Sequence, residues 1–367
     1  MPSHPPAKPH RLLIVLPSWV GDVVMATPAL RRVRDALPGA FIGGLVRPGI
    51  DRVLAGAGLL DEMHVFHPHG MMAPKRGAGL VRPRRYDTAL LLTNSFSTAL
   101  VTRLAFIPRR VGYDRDARTM LLTQKLRPPK NPGGGWRMVP AVNYYWAAAE
   151  AMLTGELPEL DTGPLNNAER APLILQEDAR MELGLTDEDR ADAEATLASA
   201  GVGDGEPIAL LNPGGNNPAK RWPAERFSSL ADRLARERGM RVLINGSPGE
   251  LELCREIASG AETDPVVLAE HDHTLGGLKA ICARAALMVT NDTGPRHIAA
   301  AFDIPLVSLF GPTDARWTTI PHDREAVLVA DPELDPSESA NDHPERCRVD
   351  RIGMERVWEA VERVSGA

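Results

Sequence analysis

Residues 286–311 read Ala286-Leu-Met-Val-Thr-Asn-Asp-Thr-Gly-Pro-Arg-His-Ile-Ala-Ala-Ala-Phe-Asp-Ile-Pro-Leu-Val-Ser-Leu-Phe-Gly311. The apolar run 286–290 has the character of a parallel strand buried on both faces, and 305–311 has the same character. Between them a strand ends in a small polar turn that opens a helix. The turn presents a carboxylate (Asp292), a hydroxyl (Thr293), bare backbone (Gly294) and an imidazole (His297). Free N–H groups at such a helix start suit an anion, typically phosphate. A side chain of Asp292 or Thr293 can equally cap the helix. At this point both readings stand.

Working outward, the same rhythm covers most of the chain. Apolar strand-like runs fall at 11–17, 41–46, 63–66 and 86–93, and helical spacing falls at 22–37, 95–106 and 139–153. Residues 154–180 lose all period and carry Gly155, Pro158, Gly163, Pro164 and Pro172, which suits a connection between domains. Alternation then resumes: helix 187–200, strand 207–212, helix 224–238, strand 241–245, helix 250–259, run 265–268 and helix 275–285. A closing helix is expected over 351–364. Strand–helix alternation in both halves predicts an α/β protein with two open parallel sheets, each covered by helices. The expected division is a disordered lead-in at 1–10, a first domain at 11–180, a second at 181–345 and a C-terminal helix in 346–367. Ligands of such sheets sit beyond the carboxyl ends of the strands, and with two facing domains the expected site is the cleft between them.

Composition narrows the class. The 367 residues are 43% hydrophobic and 25% charged, with no apolar run long enough to span a bilayer. The proline-rich N-terminus lacks the apolar stretch of a signal peptide, so the cytoplasm is the expected location. Three scattered cysteines, Cys254, Cys282 and Cys347, argue against a disulfide framework. No Cys/His spacing suggests a metal, and the nearby His64, His67 and His69 are not expected to hold one. The net charge of −6 conceals an asymmetry: residues 1–140 hold 21 Lys+Arg against 8 Asp+Glu. A basic half draws polyanions. It lacks the aromatic-interleaved motif of a nucleic-acid reader, so no nucleic-acid partner is expected.

Four strand-end loops carry the chemistry. In Pro17-Ser18-Trp19-Val-Gly-Asp22, the carboxylate at the start of a helix suits a general base or, equally, a helix cap. The helix dipole there weakens it as a base. In Asn212-Pro-Gly214-Gly215-Asn-Asn-Pro-Ala-Lys220-Arg221, two glycines permit close backbone approach and Lys220 can neutralise charge on a departing phosphate. The loop is no Walker motif. In Gly246-Ser247-Pro-Gly-Glu250, the glutamate can read ribose hydroxyls or simply favour the helix start. No Gly-x-Gly-x-x-Gly follows a strand, which counts against a nicotinamide enzyme.

In order along the chain, these loops resemble glycosyltransferase family 9, on the side of its lipopolysaccharide heptosyltransferases of the second type. The matching pieces are Pro17-Ser-Trp-Val-Gly-Asp22-Val, Thr93-Asn94-Ser95-Phe-Ser97 through Pro108-Arg-Arg-Val-Gly112, Asn212-Pro-Gly-Gly with Ala219-Lys-Arg-Trp-Pro223, and Asn291-Asp-Thr-Gly with His297; Cys347 with Ile352 and Val357 is a weaker match. The resemblance implies a GT-B fold and inverting transfer of L-glycero-D-manno-heptose from ADP-heptose to the lipopolysaccharide inner core. No tightly bound cofactor is implied. By the same resemblance Asp22 is the base. Asn212, Gly214, Gly215, Lys220, Ser247, Glu250, Asp292, Thr293, Gly294 and His297 are donor-side, and Ser18, Trp19, Asn94 and Ser95 are acceptor-side. The partners implied are a nucleotide sugar and a phosphorylated lipopolysaccharide acceptor, with peripheral contact at the inner face of the inner membrane.

The chain departs from the family pattern at Pro295-Arg296, where a leucine-containing pair is more usual, so Arg296 is expected to alter donor contacts. The Cys/His-rich stretch before the last helix is reduced to His343 and Cys347. Rival expectations are a family 9 transferase with another nucleotide sugar or acceptor, a non-catalytic two-domain sugar-binding protein, and an epimerase on the same scaffold.

Overall fold

A computed structural model of the chain describes residues 7–131, 135–160, 171–215, 217–335 and 338–366. The chain divides into two compact units, Met1–Thr162 with Pro172–Gly184, and Gly163–Ala171 with Leu185–Ala367.

The first unit runs β1 (Arg11–Val15), α1 (Val20–Ala36), β2 (Phe41–Val46), α2 (Ile50–Leu54), β3 (Glu62–Val65), α3 (Ala73–Val81), β4 (Thr88–Leu91), α4 (Phe96–Leu104), β5 (Arg109–Tyr113), β6 (Gln124–Leu126) and α5 (Ala141–Thr154). Its sheet is parallel, in the order β3-β2-β1-β4-β5-β6. The central strand β1 buries Leu12, Leu13 and Ile14 completely, so it is covered on both faces as its unbroken apolar run predicts. Each such side chain stabilises the fold by about 1.5–3 kcal/mol. Register sets Val15 beside Leu45 and Leu91, so the loops after β1, β2 and β4 leave one edge together.

The second unit runs α6 (Asp187–Ser199), β7 (Ile208–Asn212), α7 (Ala224–Arg238), β8 (Arg241–Ile244), α8 (Leu251–Gly260), β9 (Val266–Val267), α9 (Leu275–Arg284), β10 (Leu287–Asn291), α10 (Gly294–Ala301), β11 (Leu306–Phe310), β12 (Glu325–Val329) and α11 (Met354–Ser365). Its sheet is also parallel, in the order β12-β11-β10-β7-β8-β9. Its core joins Leu211, Ile244, Val289 and Leu309 of the sheet to Phe227, Leu230 and Leu234 of α7 and Val357, Trp358 and Val361 of α11.

Both sheets reverse their strand order once: at β1/β4 in the first unit and at β7/β10 in the second. Loops on either side of such a reversal run to opposite faces and leave a crevice at the carboxyl edge. That topology sets the Asp22 loop beside the Asn94 loop, and the Gly214 loop beside the Asp292 loop.

Several sequence expectations shift. Helix α1 begins at Val20 rather than residue 22, and its N-cap position is Trp19. Asp22 therefore lies inside the first turn and is not the cap. Residues 1–6 of the expected lead-in lie outside the described residues. Residues 7–10 join the sheet edge, where Asp87 accepts from the His10 and Arg11 amides at 2.9 and 2.8 Å. Of the aperiodic stretch 154–180, residues 161–170 lie outside the described residues.

Candidate functional site

The second unit gathers most of the expected donor-side residues through three asparagines at strand ends. Asn212 and Asn291 end β7 and β10, and Asn245 follows β8; all three are buried. A buried amide needs partners on both its oxygen and its nitrogen. Asn245 Nδ2 donates to Asn212 Oδ1 at 2.6 Å. Asn212 Nδ2 donates to Thr290 Oγ1 at 3.1 Å and Thr293 Oγ1 at 2.7 Å. Asn291 Nδ2 donates to the carbonyls of Pro213 at 2.6 Å and Gly214 at 3.2 Å, and its Oδ1 accepts from the Trp222 amide at 3.2 Å. Together they fix the Gly214-Gly215 turn against the start of α10.

Thr293 occupies the N-cap position of α10, yet its side chain makes no bond to the helix. Its Oγ1 is taken by Asn212. Asp292 lies one residue outside the cap. The capping reading of this turn is therefore overturned: the helix opens without a side-chain cap. Pro295, in the first turn, removes an N–H that has no helical partner in any case.

Glu250 is a staple rather than a free ribose ligand. Its Oε1 accepts from the Gly215 amide at 2.7 Å, and its Oε2 accepts from the Ser247 amide at 2.9 Å and Ser247 Oγ at 2.7 Å. A methyl group at Gly214 would stand 2.3 Å from Glu250 Oε1, so only glycine lets the carboxylate cross the turn. Burial pushes the Glu250 carboxyl up, but the bonds from Ser247 and Gly215 outweigh it and leave it below its ordinary value. A depressed carboxyl stabilises above its unfolded value and loses that contribution as pH falls through the folded value. Glu250→Ala is expected to cost about 1.5–3 kcal/mol at neutral pH. Thermal denaturation across pH checks this, with the gap to the parent protein closing below the carboxylate range.

A line of alternating charge runs beneath the turn. Lys220 Nζ lies 3.8 Å from Asp292 Oδ2, and Asp292 Oδ1 lies 4.0 Å from Arg296 Nη1. Arg296 Nε lies 2.7 Å from Glu325 Oε1. The Arg296 and Glu325 side chains are 1% and 0% exposed. Arg296 also donates to Ser308 Oγ at 3.1 Å and to the Thr318 carbonyl at 2.9 Å. Its guanidinium is thus engaged inside the fold and does not act as the altered donor contact expected from sequence. Burial pushes the Asp292 carboxyl up, opposed by Arg296 and Lys220. Burial, aided by Arg296, pushes the His297 imidazole well below its ordinary value, so it is neutral at physiological pH. Its buried Nδ1 has no hydrogen-bond partner. Arg221 forks onto the Gly215 carbonyl at 2.9 and 2.7 Å. Lys220, partly exposed, is the loop's more available cation.

In the first unit, Asp22 is half-buried and Oδ1 accepts from the Tyr145 hydroxyl at 3.0 Å. Burial and the Asp22 charge raise the Tyr145 phenol well above its ordinary value, so it remains a donor. Its neighbour Tyr144 donates to Asn94 Oδ1 at 3.5 Å. Arg118, fully buried, donates to the same oxygen at 3.3 Å, to the Tyr113 carbonyl at 2.9 Å and to the Thr93 carbonyl. Burial brings its pKa down to about 10, still charged at neutral pH. Helix α5 thereby ties Asp22 to Asn94. Ser95 caps α4 by accepting from the Thr98 amide at 3.2 Å. Trp19 is 72% exposed and Ser18 half-buried.

Among the described residues no three His, Cys, Asp or Glu side chains are grouped to hold a metal. His64 instead shares a 2.7 Å hydrogen bond with the Tyr86 hydroxyl. The three cysteines are free and buried.

Sequence reasoning missed Tyr145, Arg118, Asn245, Asn291 as a bridge, and the Arg296–Glu325 pair. Asparagine after three separate apolar runs was a usable signal. Nothing local marked the others.

The family model described as "Glycosyltransferase family 9 (heptosyltransferase)" matches residues 79–345. The chain belongs to glycosyltransferase family 9. This family 9 chain is 28% identical over 316 residues to lipopolysaccharide heptosyltransferase 2 of Salmonella typhimurium, covering 84% of each chain. It is 28% identical over 341 residues to lipooligosaccharide heptosyltransferase 2 of Haemophilus ducreyi, covering 87% of this chain and 88% of that one. In structure it is similar to ADP-heptose lipopolysaccharide heptosyltransferase II of Escherichia coli, with a TM-score of 0.75, 26% identity and coverage of 97% and 98%. A family 9 glycosyl transferase from Veillonella parvula gives a TM-score of 0.78 at 22% identity, covering 97% of each chain. The transferase thus has the two Rossmann-like units of the GT-B fold.

Proposed function

We propose that this transferase moves L-glycero-D-manno-heptose from ADP-heptose to the inner core of lipopolysaccharide, with inversion at the anomeric carbon. The observation that carries the reading is the uncapped start of α10, set by buried asparagines against the Gly214-Gly215 turn and flanked by Lys220. Backbone N–H groups and a lysine in one place are what a departing diphosphate requires. The relatives named as heptosyltransferases supply the sugar and acceptor class.

The reaction is a single displacement. The acceptor oxygen attacks the anomeric carbon, its proton passes to Asp22, and the bond from that carbon to the β-phosphate oxygen breaks. The electron pair leaves with ADP. Lys220 and the first amides of α10 stabilise the developing charge. Asp292 and neutral His297 face the donor. Tyr145 orients Asp22 and remains protonated throughout. The enzyme works at the cytoplasmic face of the inner membrane, in peripheral contact with it, because its acceptor is an anionic amphiphile. Among the described residues no helix is long and apolar enough to cross a membrane.

Lys220→Ala is expected to weaken ADP binding about 10–100-fold, the loss of one charge-assisted contact of about 1.5–3 kcal/mol. Calorimetric titration measures it; equal ADP affinity in both proteins refutes the assignment. Thermal protection by ADP, but not by UDP or GDP, tests the donor class.

A further inference from the structure

Exposed apolar side chains are unremarkable singly but carry information when contiguous. In the first unit several stand on the carboxyl edge of the sheet, the edge that also carries Asp22. Trp19 follows β1, Met71 and Met72 follow β3, and Phe96 follows β4; Met71 is 97% exposed. Strands β3-β2-β1-β4 are neighbours. Three strand spacings place these loops within about 15 Å.

Cations flank this apolar strip on both sides. Lys75 and Arg76 are exposed on the β3 side and Arg127 and Lys130 are exposed beyond β6, whereas Arg82, Arg84 and Arg85 lie at the opposite edge, where Arg84 pairs with Glu62, and Arg118 is buried. Lys75 and Arg76 lie in the first turn of α3, directly after Met72. At the β6 end, the Arg115 guanidinium lies 4.5 Å and the Lys130 ammonium 5.1 Å from the centre of the half-exposed Trp136 ring. Asp22, Asp51, Asp114 and Asp116 are the acids of this edge, and the cations outnumber them. An apolar centre with basic flanks matches one surface above others: a bilayer bearing anionic lipid. Apolar groups enter the headgroup boundary while cations meet the phosphates.

We infer that this edge is the membrane-docking surface of the protein, with Met71 and Met72 entering the bilayer and Lys75, Arg76 and Lys130 meeting anionic headgroups. The inference rests on the peripheral contact proposed above. The docked edge presents its loops, Asp22 among them, to an acceptor anchored in the same bilayer.

The test uses the full chain and vesicles free of lipopolysaccharide. Sedimentation with phosphatidylglycerol/phosphatidylcholine vesicles is compared with phosphatidylcholine alone. Binding is expected only with phosphatidylglycerol and to fall steeply with salt. Met71→Ser/Met72→Ser is expected to lose about tenfold or more in vesicle affinity. Its ADP affinity and its transfer to a deacylated, soluble acceptor stay unchanged. Equal vesicle binding by the parent and the double variant, or no preference for phosphatidylglycerol, overturns the inference. Since these vesicles hold no acceptor, a failure of docking is separable from a failure of transfer.

Discussion

Asp22→Asn retains ADP binding and loses about 10²–10⁴-fold in kcat, the usual contribution of a positioned general base. The substitution preserves size and keeps an oxygen able to accept from Tyr145. Only the ability to take a proton is removed. Two features position the Asp22 carboxylate. It lies in the first turn of α1, where the helix dipole favours negative charge, and Oδ1 receives the Tyr145 hydroxyl. The measurement is steady-state turnover beside ADP titration. Unchanged turnover removes Asp22 from its role, and loss of ADP affinity would point to misfolding instead.

Arg296→Met lowers stability by about 3–5 kcal/mol, because it takes the Arg296 guanidinium away from the fully buried Glu325 carboxylate, which keeps the Ser308 hydroxyl. In a domain of this size that corresponds to a fall of about 10 °C in Tm. Asp292 loses a compensating charge at the same time, so donor binding weakens as well. The double substitution Arg296→Met/Glu325→Leu removes both buried charges and is expected to recover most of the stability while donor binding stays impaired. A single variant as stable as the parent contradicts the buried-pair account.

This pair also shows where sequence reading stopped. Arg296 is conspicuous in the motif after Asp292, and at that distance from the donor turn it reads as a ligand contact. Its partner lies 29 residues on, at the start of β12, a strand opening with a charged residue. No local pattern links the two. Strand β5 hides for a similar reason: it begins Arg109-Arg110, and Arg110 is buried only because the carbonyls of Leu121 and Ile107 accept from it. Helix α3 hides behind Pro74, Gly77 and Gly79, poor helix formers. Gly77 is there for packing, since a methyl group would stand 3.0 Å from Val101 and Phe66. Strands β1, β7 and β10 were legible because strands buried on both faces are written as unbroken apolar runs. The residues at their ends were legible as candidates because βα loops carry the chemistry. Their division of labour was less so. Glu250, Asn291 and Arg221 hold the loop, whereas Lys220 remains available, and only their partners distinguish them.

The most direct test offers the purified protein ADP-L-glycero-D-manno-heptose with lipopolysaccharide truncated at its first heptose, and follows both ADP release and product mass. The account predicts acceptor-dependent ADP release, a product heavier by one heptosyl residue, and inverted configuration at the new anomeric centre. Transfer from a UDP- or GDP-activated sugar in preference to ADP-heptose, or sugar binding with no turnover, would contradict it.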